Sequence, residues 1–329
     1  MYVVTLSNGR TFAADPETSI LDAARTQGVV LDYSCRTGRC GICKAPVELG
    51  ETVVLRSEDQ SLSADEAARN IILTCCRAAA GDVRLDIEPL DRLADVEIKT
   101  LPCRIVSIDR VAPELVKLVL KTPPASPLRF VAGQYVDVIA ADARRSYSLA
   151  NAPRADGLLE LMIKRCPDGV MSAYWFDRAR AGDLLRLEGP FGTFFLRDEA
   201  PANIVFLATG TGIAPVKALL EELATDPSRA ARHRLDVFWG NRDAASFCWD
   251  PSQLGLDIGF HRLLSGLGAG WGGRRGYVHD TAIRDGFDAA NSVVYACGSN
   301  DMILTARAAL LALGLPPRRF FSDAFVSSN

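Results

Sequence analysis

Nine cysteines are spread along this 329-residue chain, and four of them carry an informative spacing. Cys35-Arg-Thr-Gly-Arg-Cys40-Gly-Ile-Cys43 is followed at a distance by Leu73-Thr74-Cys75. A C-x4-C-x2-C run with a remote fourth cysteine suits a [2Fe–2S] cluster, which needs two thiolates for each iron. The loop must also be thin enough to point backbone N–H groups at sulfur. Gly38 and Gly41 permit the unusual dihedrals and close approach this demands, and such hydrogen bonds help set a reduction potential. A structural zinc site also takes four cysteines, but as paired short-spaced knuckles rather than a triplet and a distant fourth. Cys76 adjoins Cys75; of the two, Cys75 is assigned as the ligand and Cys76 as a core residue.

Four more segments could do chemistry. Arg145-Ser146-Tyr147-Ser148 offers a guanidinium for a phosphate, a ring to pack on a flat heterocycle and a hydroxyl, with Asn151 three residues on. Strand alternation puts Arg145 and Tyr147 on one face, which favours Arg145 over Arg144 for the phosphate. Gly169-Val170-Met171-Ser172 reads as a turn into a helix, whose first N–H groups form a ready pyrophosphate site. Thr209-Gly210-Thr211-Gly212-Ile213-Ala214-Pro215 is a glycine-rich turn between a buried strand and a helix, where a doubly wound sheet receives pyrophosphate. Pro215 replaces the third glycine of the dinucleotide fingerprint and suits a helix's first turn. Finally, Cys297-Gly298-Ser299-Asn300-Asp301 follows a buried strand and opens a helix, with Ser299 or Asn300 as the N-cap.

The elements that must position these residues fall into three parts. Residues 1–90 read as a β-rich unit: a strand at Val3–Leu6, a turn at Asn8-Gly9, a capped helix start over Thr18–Ala24 and a last strand over Asp82–Glu88. The charged stretch 91–100 reads as a linker. Residues 101–198 carry short strand patterns at Cys103–Ile108, Leu115–Leu120, Tyr135–Ala140, Leu158–Lys164 and Asp183–Leu187, the rhythm of a barrel or sandwich. From 199 to 329 strands and helices alternate: strands over Asn203–Ala208, Arg234–Trp239 and Ser292–Ala296, helices over Ile213–Ala224 and Asp301–Leu313. That alternation predicts a doubly wound parallel sheet.

Composition excludes several classes. With a net charge of −3, the chain is not built to hold nucleic acid through phosphate neutralisation. No apolar run approaches the ~20 residues of a membrane span, and the N-terminus does not read as a signal peptide. A cytoplasmic location is expected, where thiols stay reduced and the cysteines need an explanation other than disulfides.

Residues 30–88, through the cysteine loop, resemble a plant-type ferredoxin domain, expected to be a β-grasp fold. The rest, through Arg145-x-Tyr147-Ser148, Gly169-x-x-Ser172, Gly189-Pro190-Phe191-Gly192 and Gly210-x-Gly212-x-x-Pro215, resembles the ferredoxin–NADP⁺ reductase superfamily. That implies an antiparallel β-barrel for FAD and a parallel sheet for NAD(P). The fused order is similar to the three-domain reductases of ring-hydroxylating oxygenases. It is more similar still to the CDP-6-deoxy-3,4-glucoseen reductases, the iron–sulfur flavoproteins of deoxysugar biosynthesis. The resemblance implies that Arg145 contacts a flavin phosphate, Tyr147 stacks on the isoalloxazine, Ser148 supports its N5 edge, Asn151 assists, and Gly169, Val170, Met171 and Ser172 receive the FAD pyrophosphate. It further implies that Gly210, Thr211, Gly212 and Pro215 hold the nicotinamide dinucleotide, with Cys297 and Gly298 beside the nicotinamide. Cys297 and Ser148 would then position the nicotinamide C4 against flavin N5. Phe325, in Phe321-Ser322-Asp323-Ala324-Phe325, would shield the flavin; a core phenylalanine in a final strand is the other reading.

Together these features predict an enzyme that passes electrons from NADH through FAD and a [2Fe–2S] cluster to a protein acceptor. NADPH stays open, because Arg242 suits a 2′-phosphate and Asp243 free ribose hydroxyls. The expected acceptor is an iron-dependent dehydratase acting on a CDP-6-deoxy-hexulose; the alternative is an oxygenase, reached directly or through a small ferredoxin. A redox-sensing module reporting NADH is a third possibility, opposed by the lack of an output segment. The chain is expected to be a monomer, with the loop bearing Arg36, Thr37 and Arg39 as its docking surface or simply a solvated loop.

Overall fold

Alternating residues at the N-terminus make a hairpin in the computed structural model, which describes residues 1–58, 61–140, 143–198, 201–266 and 270–325. β1 (Tyr2–Leu6) and β2 (Thr11–Ala14) pair antiparallel. The turn takes in Ser7–Arg10 rather than two residues, with Gly9 at φ 84° and the Arg10 N–H donating to Asn8 Oδ1 at 3.0 Å. α1 (Ile20–Thr26) starts where the Ser19 hydroxyl accepts from the Asp22 N–H at 3.1 Å, and it buries Ile20, Leu21, Ala23 and Ala24. Then come β3 (Lys44–Leu49), β4 (Thr52–Val54), α2 (Ala64–Ala68), β5 (Ile71–Leu73), β6 (Arg77–Ala79) and β7 (Val83–Leu85). The main sheet runs β2-β1-β7-β3-β5, with β1 and β7 parallel, while β4 and β6 form a separate ribbon. One helix packed across such a mixed sheet is a β-grasp fold. Its core unites Val4, Leu6, Ile20, Leu31, Leu73 and Leu85.

The chain divides into two compact units, Met1–Val96 and Glu97–Phe325. The second opens with β8 (Lys99–Ala112), which begins inside the stretch expected as linker because Lys99–Arg104 pair with the later strand β13. β9 (Leu115–Lys121), β10 (Tyr135–Ala140), β11 (Ala143–Ser148), β12 (Leu158–Lys164), the short α3 (Val170–Ala173) and β13 (Leu184–Phe191) follow. The antiparallel order is β11-β10-β13-β8-β9-β12, and a bridge between Leu149 and Leu161 joins its two edges into a barrel. Leu118, Leu120, Val136, Val138, Leu161 and Leu187 are fully buried in it. Burial of each is worth about 1.5–3 kcal/mol.

The remaining elements are β14 (Asn203–Thr209), α4 (Ile213–Ala224), α5 (Pro227–Ala230), β15 (Arg234–Asn241), β16 (Ile258–Leu264), β17 (Arg274–Arg275), α6 (Val278–Arg284), β18 (Ser292–Ser299), α7 (Asn300–Ala312) and β19 (Phe320–Phe325). All strands are parallel, in the order β17-β16-β15-β14-β18-β19. Ile204 through Ala208 are all buried, as a strand covered on both faces requires. β16 and α6 were not visible in the sequence pattern. β18 runs three residues past the expected Ala296, which puts Cys297 and Gly298 in the strand's last turn of ladder, and Ser299 is the cap of α7.

Candidate redox site

The cysteine loop is shaped around its sulfurs. Arg36, Gly38 and Gly41 all take left-handed backbone conformations, at φ 59°, 78° and 71°. A Cβ on Gly38 would lie 2.7 Å from Cys76 Sγ and 2.8 Å from the Ser57 carbonyl, so only glycine fits there. Backbone N–H groups of Thr37 and Arg39 donate to Cys35 sulfur, those of Cys35 and Ile42 to Cys40, and that of Gly38 to Cys75. The sulfurs come as two pairs: Cys35 with Cys40, and Cys43 with Cys75, whose Sγ atoms are 3.2 Å apart. Hydrogen bonds from Cys40 and Thr37 hold the Cys35 thiol down to about 5, and the bond from Cys43 brings Cys75 to about 7. Two cysteine pairs among converging amides fit a two-iron cluster better than one tetrahedral ion, and no group of three or more ligating side chains among the described residues forms a single-metal cage.

Cys76 flanks this set, its Sγ 3.6 Å from Cys75 Sγ. It is fully buried, its thiol donates to the Ser57 carbonyl at 3.7 Å, and burial pushes it up to about 12. Glu58, also buried, accepts from the Leu73 N–H at 2.8 Å and from Arg77 Nε at 2.6 Å, and so ties down the approach to Cys75. Cys35 is the least buried of the four, while Arg36 and Arg39 beside it are half-buried and Thr37 is exposed.

On the barrel, β11 sorts its two arginines. Arg144 pairs with Asp137 at 2.7 Å and Glu188 at 2.8 Å. Arg145 is exposed and has no carboxylate partner among the described residues; its guanidinium donates to the Arg144 carbonyl at 2.7 Å. Tyr147 packs edge-on to Trp175, and its hydroxyl accepts from the Trp175 indole at 2.8 Å. Burial raises the Tyr147 phenol to about 12. Asn151 is fully buried with its amide engaged by the backbone of Ala152, Leu158 and Glu160. A cavity of about 510 Å³ is lined by Arg165, Cys166, Asp168, Gly169, Val170 and Ser172 among others, a size ordinary for cofactor pockets. The N–H groups of Val170, Met171 and Ser172 precede the first helical bond, Ala173 N–H to Gly169, so they are unpaired by the helix. The Met171 side chain belongs to the barrel core, and the Ser172 hydroxyl accepts from the Cys166 N–H at 2.6 Å.

At the carboxyl ends of the parallel strands, backbones meet closely. A Cβ on Gly212 would collide with the Cys297 carbonyl, and one on Gly298 with the Thr209 hydroxyl. Gly210 takes φ 55°, and its carbonyl accepts from the Trp239 indole at 2.9 Å. Pro215 is buried in the first turn of α4 and Thr211 is half-buried. Cys297 is fully buried; desolvation and the nearby Asp323 carboxylate push its thiol well up, so it is neutral.

The sequence reading missed Asp323. It sits on β19 in register with Cys297, is buried, and accepts from the Ser148 hydroxyl at 3.4 Å. Ser148 from the barrel and Cys297 from the parallel sheet thus meet around one carboxylate. An acidic residue inside an otherwise apolar terminal strand was the available signal. Phe325 ends the same strand, opposite Ser299, and is 39% exposed rather than in the core. Asp243 is engaged as a local helix cap, accepting from the Ala245 N–H at 3.1 Å, whereas Arg242 is exposed.

Three families match the chain: the 2Fe-2S iron-sulfur cluster binding domain over residues 4–80, the oxidoreductase FAD-binding domain over 102–196 and the oxidoreductase NAD-binding domain over 206–308. The CDP-6-deoxy-L-threo-D-glycero-4-hexulose-3-dehydrase reductase of Yersinia pseudotuberculosis is 39% identical over 326 residues, covering 98% of this chain and 97% of that protein. Reductase component 1 of terephthalate 1,2-dioxygenase from a Comamonas species is 29% identical, over 96% and 95% of the two chains. Among solved structures, the Amycolatopsis cytochrome P450 reductase GcoB matches over all of both chains, with a TM-score of 0.78 and 28% identity. No helix among the described residues is long and apolar enough to cross a membrane.

Proposed function

The chain belongs to the family of fused [2Fe–2S], FAD and NAD reductases, and from that premise we propose that it draws electrons from NADH for an iron-dependent dehydratase acting on a CDP-6-deoxy-hexulose. One observation carries the redox half of the reading: Ser148, Asp323 and Cys297 converge where the flavin-side strand meets the carboxyl ends of the parallel sheet. FAD supplies the conversion from a hydride to single electrons and the cluster the outlet for them. The protein's own residues bind, orient and exclude water.

In this reading Arg145, with no carboxylate partner among the described residues, meets an FAD phosphate, Tyr147 lies against the flavin, and the N–H groups of residues 170–172 take the pyrophosphate. Asn151 acts through the backbone it holds. Gly210, Thr211, Gly212 and Pro215 form the dinucleotide turn, and Gly212 and Gly298 are glycines because the two strand ends touch. Ser148 is held by Asp323 toward the flavin edge, the neutral Cys297 thiol borders the nicotinamide without adding charge, and Phe325 covers the ring. Cys35 and Cys40 would hold one iron, and Cys43 and Cys75 the other. Residues 1–90, 101–198 and 199–329 then act as cluster, flavin and nicotinamide domains, with 91–100 as their link, the last two residues of which already belong to β8. A monomer in the cytoplasm fits the role, and the edge near Cys35, with Arg36, Thr37 and Arg39, is where electrons leave.

The full-length likeness to the hexulose dehydrase reductase supports a dehydratase acceptor over an oxygenase. The test is NADH oxidation by the purified protein mixed with such a dehydratase and its CDP-sugar. Oxidation that depends on both would bear the proposal out. Indifference to the dehydratase, with stimulation by a terminal oxygenase component, would give the acceptor to the oxygenase branch.

A further inference from the structure

We propose that Lys217 and Glu221 of α4 are a positioning grip that sets the spacing between the flavin-side segment and the dinucleotide turn; the inference rests on the function proposed above. The chain leaving β11 has one edge paired with β12, where Leu149 bridges Leu161 and the Ala150 N–H donates to the Glu160 carbonyl at 2.7 Å. Along the same segment, Lys217 Nζ donates to the Ala150 carbonyl at 2.7 Å, and the Ala152 N–H donates to Glu221 Oε2 at 2.9 Å. Two side chains one helical turn apart therefore hold this backbone as a neighbouring strand would. The segment begins two residues after Ser148, and α4 begins directly after Gly212. Little chain separates the grip from either end of the proposed hydride path.

The chemistry of the grip favours geometry over stability. Lys217 is 7% exposed, and its three ammonium hydrogens have three acceptors: Ala150, Glu160 at 3.2 Å and Glu221. Glu160 is also held by Arg154 at 2.8 Å and Lys117 at 3.2 Å. Desolvation largely cancels the Coulomb gain of such buried ions, so an apolar contact would stabilise the junction at least as well. Apolar surfaces slide over each other at little cost. Hydrogen bonds to two backbone groups do not.

The test mixes the FAD- and cluster-loaded protein with NADH anaerobically and follows flavin bleaching in a stopped-flow instrument. Glu221→Ala should lower the limiting rate about tenfold or more, as misplacement of reacting groups does, with an unchanged half-saturating NADH concentration and unchanged FAD and iron content. Glu221→Gln, which keeps one of the two acceptors, should fall between Glu221→Ala and wild type. The long-wavelength charge-transfer absorption of the nicotinamide–flavin pair should weaken in the same order, and the Ala152 amide should lose hydrogen-exchange protection in Glu221→Ala. Lys217→Met should match Glu221→Ala where it folds; if it does not fold, the two Glu221 variants decide. A wild-type rate and charge-transfer band in Glu221→Ala, or a changed NADH half-saturation at an unchanged limiting rate, would overturn the grip alone. Wild-type protein that NADH fails to bleach would overturn the proposed function, and the grip with it.

Discussion

Replacing Gly38 with alanine separates close approach from backbone strain in the cysteine loop. Its φ of 78° costs an L residue about 1–2 kcal/mol on its own. The new Cβ would also stand 2.7 Å from Cys76 Sγ and 2.8 Å from the Ser57 carbonyl, whereas ordinary contact begins near 3.4 Å. The Ser57 contact is backbone, so the loop has to open by about 0.6 Å, an overpacking cost of about 1–3 kcal/mol. Together these put Gly38→Ala roughly 2–5 kcal/mol below wild type, at least a 30-fold loss in local stability. Gly41 and Gly9 are the controls. Gly41 has φ 71° but only flexible or ordinary neighbours at 3.3 Å and beyond, and Gly9 has φ 84° with nothing within 4 Å. The assay is iron and sulfide content per chain, with the temperature at which the visible cluster absorbance is lost. Gly38→Ala should lose its cluster about 4 °C or more below Gly41→Ala, since only the contact cost of about 1–3 kcal/mol separates them, and Gly41→Ala should behave like Gly9→Ala. Equal behaviour of Gly38→Ala and Gly41→Ala would refute the argument that Gly38 is required by contact.

Cys75→Ser should abolish the cluster's visible absorbance, whereas Cys76→Ser should keep it, since residue 76 only flanks the Cys75 sulfur, at 3.6 Å, and a serine hydroxyl there can still donate to the Ser57 carbonyl. Asp323→Asn should slow anaerobic flavin bleaching by NADH about tenfold or more while leaving dithionite reduction of the cluster unchanged, because it weakens the hold on Ser148 beside Cys297. Glu160 is buried, which opposes its charge, yet Lys217, Arg154 and Lys117 outweigh that and hold its carboxyl below the ordinary 4.5. A depressed folded value gives stability that is present above 4.5 and lost as pH falls toward the folded value. The stability gap between wild type and Glu160→Gln, from urea unfolding, should therefore be constant from about pH 6 to 8 and shrink below about pH 4.5.

The antiparallel strands were legible because Leu115–Leu120 and Leu158–Lys164 alternate or run apolar between turn residues, and β14 because five buried residues precede a glycine turn. β16 was not, because Ile258-Gly-Phe-His-Arg-Leu-Leu mixes half-buried and charged positions beside the two-residue β17. The cysteine spacing pointed to a [2Fe–2S] domain, which the family match over residues 4–80 bears out. It could not show which cysteines pair, because that depends on how Gly38 and Gly41 fold the loop. Asp323 and Lys217 escaped notice for a shared reason. Each is a buried charged residue with partners distant in sequence: Ser148 for one, Glu160 and Ala150 for the other. Periodicity reports the face a residue takes, not what a second element brings to it. Arg144 and Arg145 show a middle case: alternation separates their faces, but only Asp137 and Glu188, brought by other strands, show that Arg144 is engaged.

The central claim, that NADH-derived electrons reach the four-cysteine cluster through the flavin, is tested most directly by an anaerobic NADH titration of the purified protein. Visible absorbance and low-temperature EPR would be recorded at each addition. Flavin bleaching should come together with a rhombic reduced [2Fe–2S] signal that the Cys75→Ser protein lacks. Flavin bleaching with no such signal in the wild-type protein, at full iron content, would contradict it.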